Sequence, residues 1–273
     1  MNSENIKQIG NKIRCNQASI DETGEFIAQI LPTVVDDVNK VFAPRQLIKR
    51  DRITEPLPID KRQLSSYRTR LGTMLEYAMS SYMDAIINKA FGSDLRLTFA
   101  VAHEYPDFYM RNEELFPAVR IEMKAVDADS DEQAACFDVL SGLIQGEKDV
   151  LILIAWEWRN DTLNTAIQYE YPFIFAFIVV PAAELARERD ESVRLRGGRV
   201  DPDQILVPKK GSFGELTPDK GNTGKILRMI HKSRKKDPFN LSLDIQRYLQ
   251  FIDVVERRKN QGIRLEDLDI EQE

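Results

Sequence analysis

Two nearly continuous apolar segments constrain this chain most. They are DVLILIAWEW at residues 149–158 and FIFAFIVV at residues 173–180. Runs of this length are too short to cross a bilayer and are typical of strands that other elements cover on both faces. The two segments therefore predict the middle of a buried β-sheet, and the rest of the chain must supply helices for both of its faces.

A long helix is predicted over residues 61–91. Apolar side chains recur there at intervals of three and four residues from Tyr67 to Ala90, and Gly92 is a suitable terminator. Because these side chains cover more than half of the helix circumference, we expect the helix to be largely buried. Glu76 lies within the apolar face, where a carboxylate must be partnered, protonated or bound to a metal.

The remaining elements complete an α/β pattern. Strands are predicted at 95–103, 105–110 and 118–126, and helices at 21–38 (with Asp21 as N-cap), 132–144, 223–233 and 241–257. This order predicts a central mixed β-sheet flanked by helices, with helical additions at both ends. We divide the chain into a helical arm and connector (1–60), a core (61–195) and a basic loop and helix region that ends in a helix and an acidic tail (196–273).

Cysteine and histidine are too scarce for two common kinds of site. Cys15, Cys136, His103 and His231 are the full set, which excludes a disulfide scaffold and argues against a four-ligand zinc site. The first fifteen residues are polar and contain no apolar signal. We therefore expect a cytoplasmic protein with no membrane partner.

The residues suited to chemistry lie between 105 and 124. Side chains alternate along a strand, so Glu122 and Lys124 project from one face. If the strand that follows Asp107 pairs beside them, two carboxylates and one ammonium meet at one place. Such a carboxylate pair is a hard-oxygen site of the kind that Mg²⁺ prefers. Lys124 is the only lysine with an acidic residue two positions earlier.

Pro106-Asp107 followed by Glu122-Met123-Lys124 resembles the PD-(D/E)xK nuclease superfamily, which includes most type II restriction endonucleases. The order of elements from residue 61 to residue 181 fits the core of that family, so the resemblance implies a restriction-endonuclease-like core. It also implies that Asp107 and Glu122 bind Mg²⁺ together with the backbone carbonyl of Met123, and that Lys124 activates water.

The same resemblance gives Glu76 a role and implies a reaction. An acidic residue on the helix before the first core strand often adds a metal contact or outer support in that family, and Glu76 occupies this place. The implied activity is site-specific hydrolysis of double-stranded DNA by a magnesium-dependent homodimer, since a two-fold protein matches a two-fold target. The amphipathic helices at the two ends of the chain are candidates for the dimer face.

A basic segment at residues 209–236 indicates a DNA contact. It holds nine basic and two acidic residues, a net charge of +7, whereas the whole chain carries −6 and the remainder therefore −13. A helix in this segment would place Arg228 and Lys232 on one face, where they could contact phosphates. The predicted DNA-binding residues are Lys209, Lys210, Lys225, Arg228, Lys232 and Arg234.

Other interpretations remain open. The same fold could serve a structure-specific repair, recombination or phage-encoded nuclease, or a catalytically inactive module that binds nucleic acid or protein. Glu122 and Lys124 could form a solvated strand face with Asp107 in a turn. The basic segment could be an ordinary solvated helix whose charge the acidic tail neutralises.

Overall fold

The fold is taken from a computed structural model. It describes residues 3–42, 50–51, 56, 58–100, 105–129, 135–160, 169–211, 213–219, 221 and 223–266. Its helices are α1 (Ser3–Arg14), α2 (Ile20–Phe42), α3 (Lys61–Phe91), α4 (Ala182–Leu195), α5 (Lys232–Lys235) and α6 (Leu243–Glu266). Its strands are β1 (Arg50–Asp51), β2 (Leu95–Phe99), β3 (Phe108–Asn112), β4 (Pro117–Asp127), β5 (Asp149–Asn160), β6 (Tyr169–Pro181), β7 (Arg199–Val200), β8 (Ile205–Pro208) and β9 (Leu216–Pro218).

A six-stranded sheet forms the centre, in the order β1-β6-β5-β4-β3-β2. Only β4 and β5 are parallel, so the sheet is mixed, and helices pack on both of its faces. This confirms the predicted α/β class with helices at both ends. Strands β7, β8 and β9 form a separate small antiparallel sheet within the region predicted to be loop and helix.

The two apolar segments lie in β5 and β6, which confirms that they form buried strands of the sheet. Side chains of β5 alternate between two cores: Val150, Ile152 and Ile154 face one, and Leu151, Leu153 and Ala155 face the other. The first core includes residues of α1, α2 and α3, and the second includes residues of α4 and α6. Burial on both faces explains why these strands lack the alternation of polar and apolar residues.

Helix α3 has the predicted bounds. Asp60 caps its first turn by accepting hydrogen bonds from the backbone N–H groups of Arg62 and Gln63, and Gly92 ends it with a φ of 61°. One stripe is buried, consisting of Leu71, Leu75, Met79, Met83 and Ile87. The expectation of a largely buried helix is wrong, because most of its other side chains are partly or fully exposed, Met74 and Ala90 among them. Tyr67, Tyr82 and Ile86 are partly buried against the same core.

Helix α2 belongs to the same core as α3 and attaches to β6 through a buried amide. Asn39 donates to the carbonyl of Ile174 (2.8 Å) and accepts from its N–H (2.9 Å), as a neighbouring strand would do. Ser19, and not the predicted Asp21, caps α2: its hydroxyl accepts from the N–H of Glu22, whose carboxylate accepts from the N–H of Ser19. The division of the chain at residue 60 stays a prediction.

The predicted helix at 132–144 is wrong over its described part. Residues 135–140 are irregular, with an isolated bridge between Cys136 and Lys225, and a single 3-10 turn follows at Ser141–Leu143. The fully buried Arg189 donates to the carbonyls of Phe137 (3.1 Å) and Val139 (2.6 Å). These long-range partners satisfy backbone groups that a helix would have paired locally.

The predicted helix at 223–233 is also wrong. A 3-10 turn (Ile226–Arg228) and the short α5 take its place, after a close approach between two chain segments. A Cβ atom on Gly224 would lie 2.2 Å from the carbonyl oxygen of Phe137, so this approach requires glycine.

None of the helices in the described ranges is both long and apolar enough to cross a membrane.

Candidate active site

The candidate site lies where β4 continues beyond the start of β3. The first residue of β3, Phe108, pairs with Ile121, and β4 runs on to Asp127. Asp107 directly precedes β3, and Glu122 and Lys124 follow on β4. The Lys124 Nζ atom is 2.5 Å from Glu122 Oε1 and 3.6 Å from Asp107 Oδ2. The structure therefore brings together the two carboxylates and the ammonium group.

Two carboxylates take the place of a strand along this edge of β4. Asp107 Oδ2 accepts from the N–H of Met123 (2.9 Å), and Glu76 Oε1 accepts from the N–H of Ala125 (3.0 Å). Alternate N–H groups of a strand point to the same edge, and β3 does not extend far enough to pair with these two. Glu76, which lies within the apolar face of α3, thus has a backbone hydrogen-bond partner on β4. This contact places it next to Asp107, Glu122 and Lys124.

Burial alters the protonation of both buried glutamates. Burial raises the pKa of Glu76 to about 7 against the opposing charge of Lys124, and the negative charge of Asp107 adds to the rise. Burial raises the pKa of Glu122 to about 7 in the same way, again against the charge of Lys124. Both carboxyl groups therefore change charge near neutral pH, where a bound cation would favour their ionised forms.

Lys124 keeps its proton in this environment. Burial alone lowers the pKa of Lys124, but the negative charges of Glu122 and Asp107 outweigh that effect and raise the pKa above its ordinary value of 10.5. The ammonium group is therefore a hydrogen-bond donor at neutral pH. Its side chain is 22% exposed and that of Asp107 34%, so both can reach a substrate.

The donor set fits Mg²⁺. The Oε2 atom of Glu122 is buried and accepts no hydrogen bond within the part of the chain that the structure describes, a costly state that a cation would relieve. In a strand the N–H and C=O of one residue point to the same side, so the Met123 carbonyl faces the edge that Asp107 occupies. The described ranges hold no group of three or more His, Cys, Asp or Glu side chains placed to bind a metal. The carbonyl and water molecules would therefore complete the coordination.

A second group of polar residues supports the segment that leads to Asp107. The Tyr105 hydroxyl donates to Asp149 Oδ2 (2.7 Å), and Arg120 Nε is 3.2 Å from Asp149 Oδ1. Asp149 is fully buried, so these contacts attach Tyr105 firmly to the start of β5. The sequence carries one signal for this group: Arg120 lies two residues before Glu122 and so shares its strand face.

The predicted DNA-binding residues do not share the helix that the sequence predicts for them. The common helix face of Arg228 and Lys232 is absent, because one residue ends a 3-10 turn and the other begins α5. Arg234 forms two hydrogen bonds with the carboxylate of Glu188 (2.6 and 2.9 Å), and Lys209 lies 3.7 Å from Glu215. The backbone of Lys225 forms an isolated antiparallel β-bridge with that of Cys136. Lys210 and Lys232 are exposed and pair with no carboxylate among the described residues.

Two other residues near the motif, His103 and Gln133, lie outside the described residues. The chain matches no protein-family model and none of the curated proteins, so an assignment of function depends on the geometry of Glu76, Asp107, Glu122 and Lys124.

Proposed function

We propose that this protein is a magnesium-dependent, site-specific endonuclease that hydrolyses phosphodiester bonds of double-stranded DNA as a homodimer, in the manner of a type II restriction enzyme. The observation that carries the proposal is the convergence of Asp107, Glu122 and Lys124 at the start of β3, together with one buried carboxylate oxygen of Glu122 that accepts from no donor among the described residues. Site specificity and the homodimer follow from the resemblance of the motif alone.

The two carboxylates have the role of metal ligands. Asp107 and Glu122 would hold Mg²⁺ together with the carbonyl of Met123. When bound, Mg²⁺ lowers the pKa of a coordinated water and offsets negative charge on the scissile phosphate. The hydrogen bond from the Met123 N–H orients Asp107, and the hydrogen bond from the Ala125 N–H to Glu76 holds the next part of β4 in place.

Lys124 serves as a donor rather than as a base. Because its pKa lies above the ordinary lysine value, it does not remove a proton from water at neutral pH. Its ammonium group can instead hold the attacking water or a phosphate oxygen by charge-assisted hydrogen bonds. This refines the role that the motif implies, since activation of water by Lys124 then consists of positioning and electrostatic stabilisation.

A plasmid cleavage assay tests the proposal. We expect the unmodified protein with Mg²⁺ to convert supercoiled plasmid of known sequence into discrete fragments. Asp107→Asn, Glu122→Gln and Lys124→Met should each lower the rate by about 100-fold or more, the usual loss when one preorganised electrostatic contact is removed. Glu147→Gln, which alters an exposed carboxylate outside the site, is the matched control and should cut normally.

The fragment pattern separates the open alternatives. Discrete bands indicate a sequence-specific enzyme, whereas a smear, or nicks at junctions and loops, indicates a structure-specific nuclease of the same fold. If Glu122→Gln and Lys124→Met both cut as fast as the unmodified protein, the assignment of the site is wrong. If no DNA is cut under any condition, an inactive binding module becomes the better interpretation.

A further inference from the structure

We propose that the face of the β2–β3 hairpin that carries Arg96, Thr98, Tyr109 and Arg111 binds the phosphate backbone of duplex DNA to one side of the cleavage site. The identity of the partner rests on the proposed function. This surface, which we call the hairpin face, lies outside the basic segment at 209–236.

Strand register places the hairpin face beside the candidate site. Arg96 pairs with Arg111, Thr98 with Tyr109, and Tyr109 in turn with Arg120. Cross-strand partners project to the same side of a sheet, and so do alternate residues of one strand. The hairpin face therefore shares its side of the sheet with Glu122 and Lys124. The neighbouring residues Leu95, Leu97 and Met110 point to the opposite side, where they pack against the core.

The charge on this face is unusual for a sheet. Arg96 and Arg111 are direct cross-strand partners, and like charges in that relation destabilise a sheet. Neither forms an ion pair with a carboxylate in the described ranges. Their hydrogen bonds go to neutral groups: Arg96 to the carbonyl of Ser93, and Arg111 to Thr98 Oγ1 and the carbonyl of Leu115. The Nε atom of Arg96 is buried and has no hydrogen-bond partner in that part of the chain.

Other arginines of the chain, unlike Arg96 and Arg111, have their charge neutralised by a carboxylate. Arg120, Arg234 and Arg258 each lie within 3.2 Å of a carboxylate oxygen. A repulsive, unneutralised arginine pair is a local exception to stable sheet design, and such exceptions concentrate at binding sites. An anion placed between the two guanidinium groups would remove the repulsion. Phosphate suits this role, because the planar guanidinium donates two parallel hydrogen bonds to it.

Tyr109 helps to set the position of the cations. The guanidinium of Arg111 lies 4.5 Å from the centroid of the Tyr109 ring, a cation–π contact that restrains it against the sheet. From the strand rise and spacing, Arg111 lies about 14 Å from Glu122, which corresponds to roughly four base pairs of B-DNA. The arginine pair would thus contact a phosphate about four positions from the scissile one.

Salt-dependent binding of DNA tests this surface. Affinity for a fluorescent duplex of about 30 base pairs is measured by anisotropy between 50 and 200 mM salt, in EDTA without Mg²⁺. We expect Arg96→Gln/Arg111→Gln to weaken binding about tenfold and to lower the slope of log affinity against log salt by about two, since each lost phosphate contact contributes about 0.9. The double variant should melt no lower than the unmodified protein, because the repulsion is gone.

Two matched variants make the test specific. Arg257→Gln removes an exposed arginine of α6, a helix that packs against β6 and α4, and should leave the slope unchanged. Lys210→Gln/Lys232→Gln removes the same charge as the arginine variant, but from the basic segment. The inference stands if the arginine variant lowers the slope, whatever the lysine variant does. It is overturned if the arginine variant keeps the unmodified slope, or if the unmodified protein binds no duplex.

Binding and cleavage can fail independently in this design. Because no Mg²⁺ is present, a protein that never cuts DNA can still show the loss of slope, and the hairpin face then survives without the nuclease proposal. A protein that cuts plasmid normally but keeps its slope in the arginine variant supports the proposed function and refutes the hairpin face.

Discussion

Replacement of Glu76 by glutamine tests the electrostatics of the site without removing its hydrogen bond. The glutamine side chain keeps an oxygen that can accept from the N–H of Ala125, but it cannot ionise. Burial raises the pKa of Glu76 from 4.5 to about 7, so ionisation of this residue opposes folding. Glu76 contributes its full stability below pH 4.5, and this contribution is lost as the pH rises through 7.

The size of this effect on stability follows from the rise in the pKa of Glu76. At about 1.4 kcal/mol per pKa unit, an increase from 4.5 to about 7 corresponds to roughly 3 kcal/mol, and partial access of solvent reduces it. We therefore expect Glu76→Gln to be more stable than the unmodified protein by about 1–3 kcal/mol above pH 7. The difference should shrink steadily as the pH falls towards 5.

Urea unfolding at several pH values between 5 and 8, in EDTA, measures this difference. Glu76→Ala is the companion variant. It leaves the N–H of Ala125 without an acceptor and should be less stable than Glu76→Gln by about 1–3 kcal/mol at every pH. The reasoning is refuted if the unmodified protein and Glu76→Gln give parallel curves of stability against pH, since Glu76 would then ionise equally in the folded and unfolded chains.

Two further predictions concern arginines outside the site. Arg189→Met should lower the free energy of unfolding in urea by about 3–5 kcal/mol, because Asp190 would keep a buried charge without its partner; a loss below about 1 kcal/mol would contradict this. Arg234→Ala should cost about 1 kcal/mol and leave DNA affinity unchanged in the anisotropy assay, because Glu188 already holds this side chain. A drop in affinity would instead support the DNA contact predicted for Arg234 from the sequence.

The parts of the fold that local signals govern could be predicted from the sequence. Helix α3 has its predicted bounds because Asp60 and Gly92 are strong local end signals. The central strands were recognisable because burial on both faces leaves an apolar run with few alternatives. The placement of Glu122 beside Lys124 follows from strand alternation alone, so the centre of the candidate site was accessible in the same way.

Features that depend on distant partners could not be predicted. The spacing of apolar residues around Val139 favours a helix, but Arg189, fifty residues away, binds that carbonyl and helps to hold this segment in an irregular conformation. Gly224 allows the approach of Phe137, and no local pattern reveals such a contact. The hydrogen bond from Ala125 to Glu76 depends on where β3 begins, which propensity does not determine.

The hydrogen bonds between Asn39 and Ile174 have a consequence for the order of folding during synthesis. The two residues are separated by 135 positions, and β6 receives most of its other contacts from β5 and α2. At a ribosomal rate of 5–20 residues per second, α2 emerges about 7 to 27 seconds before its acceptor on β6 does. Throughout that interval the part of α2 that contacts β6 has no strand to cover, although Phe26 has its aromatic partner Phe91 as soon as α3 is made. The nascent N-terminal half therefore keeps apolar surface of α2 uncovered until β6 is made, and such surface is prone to aggregation.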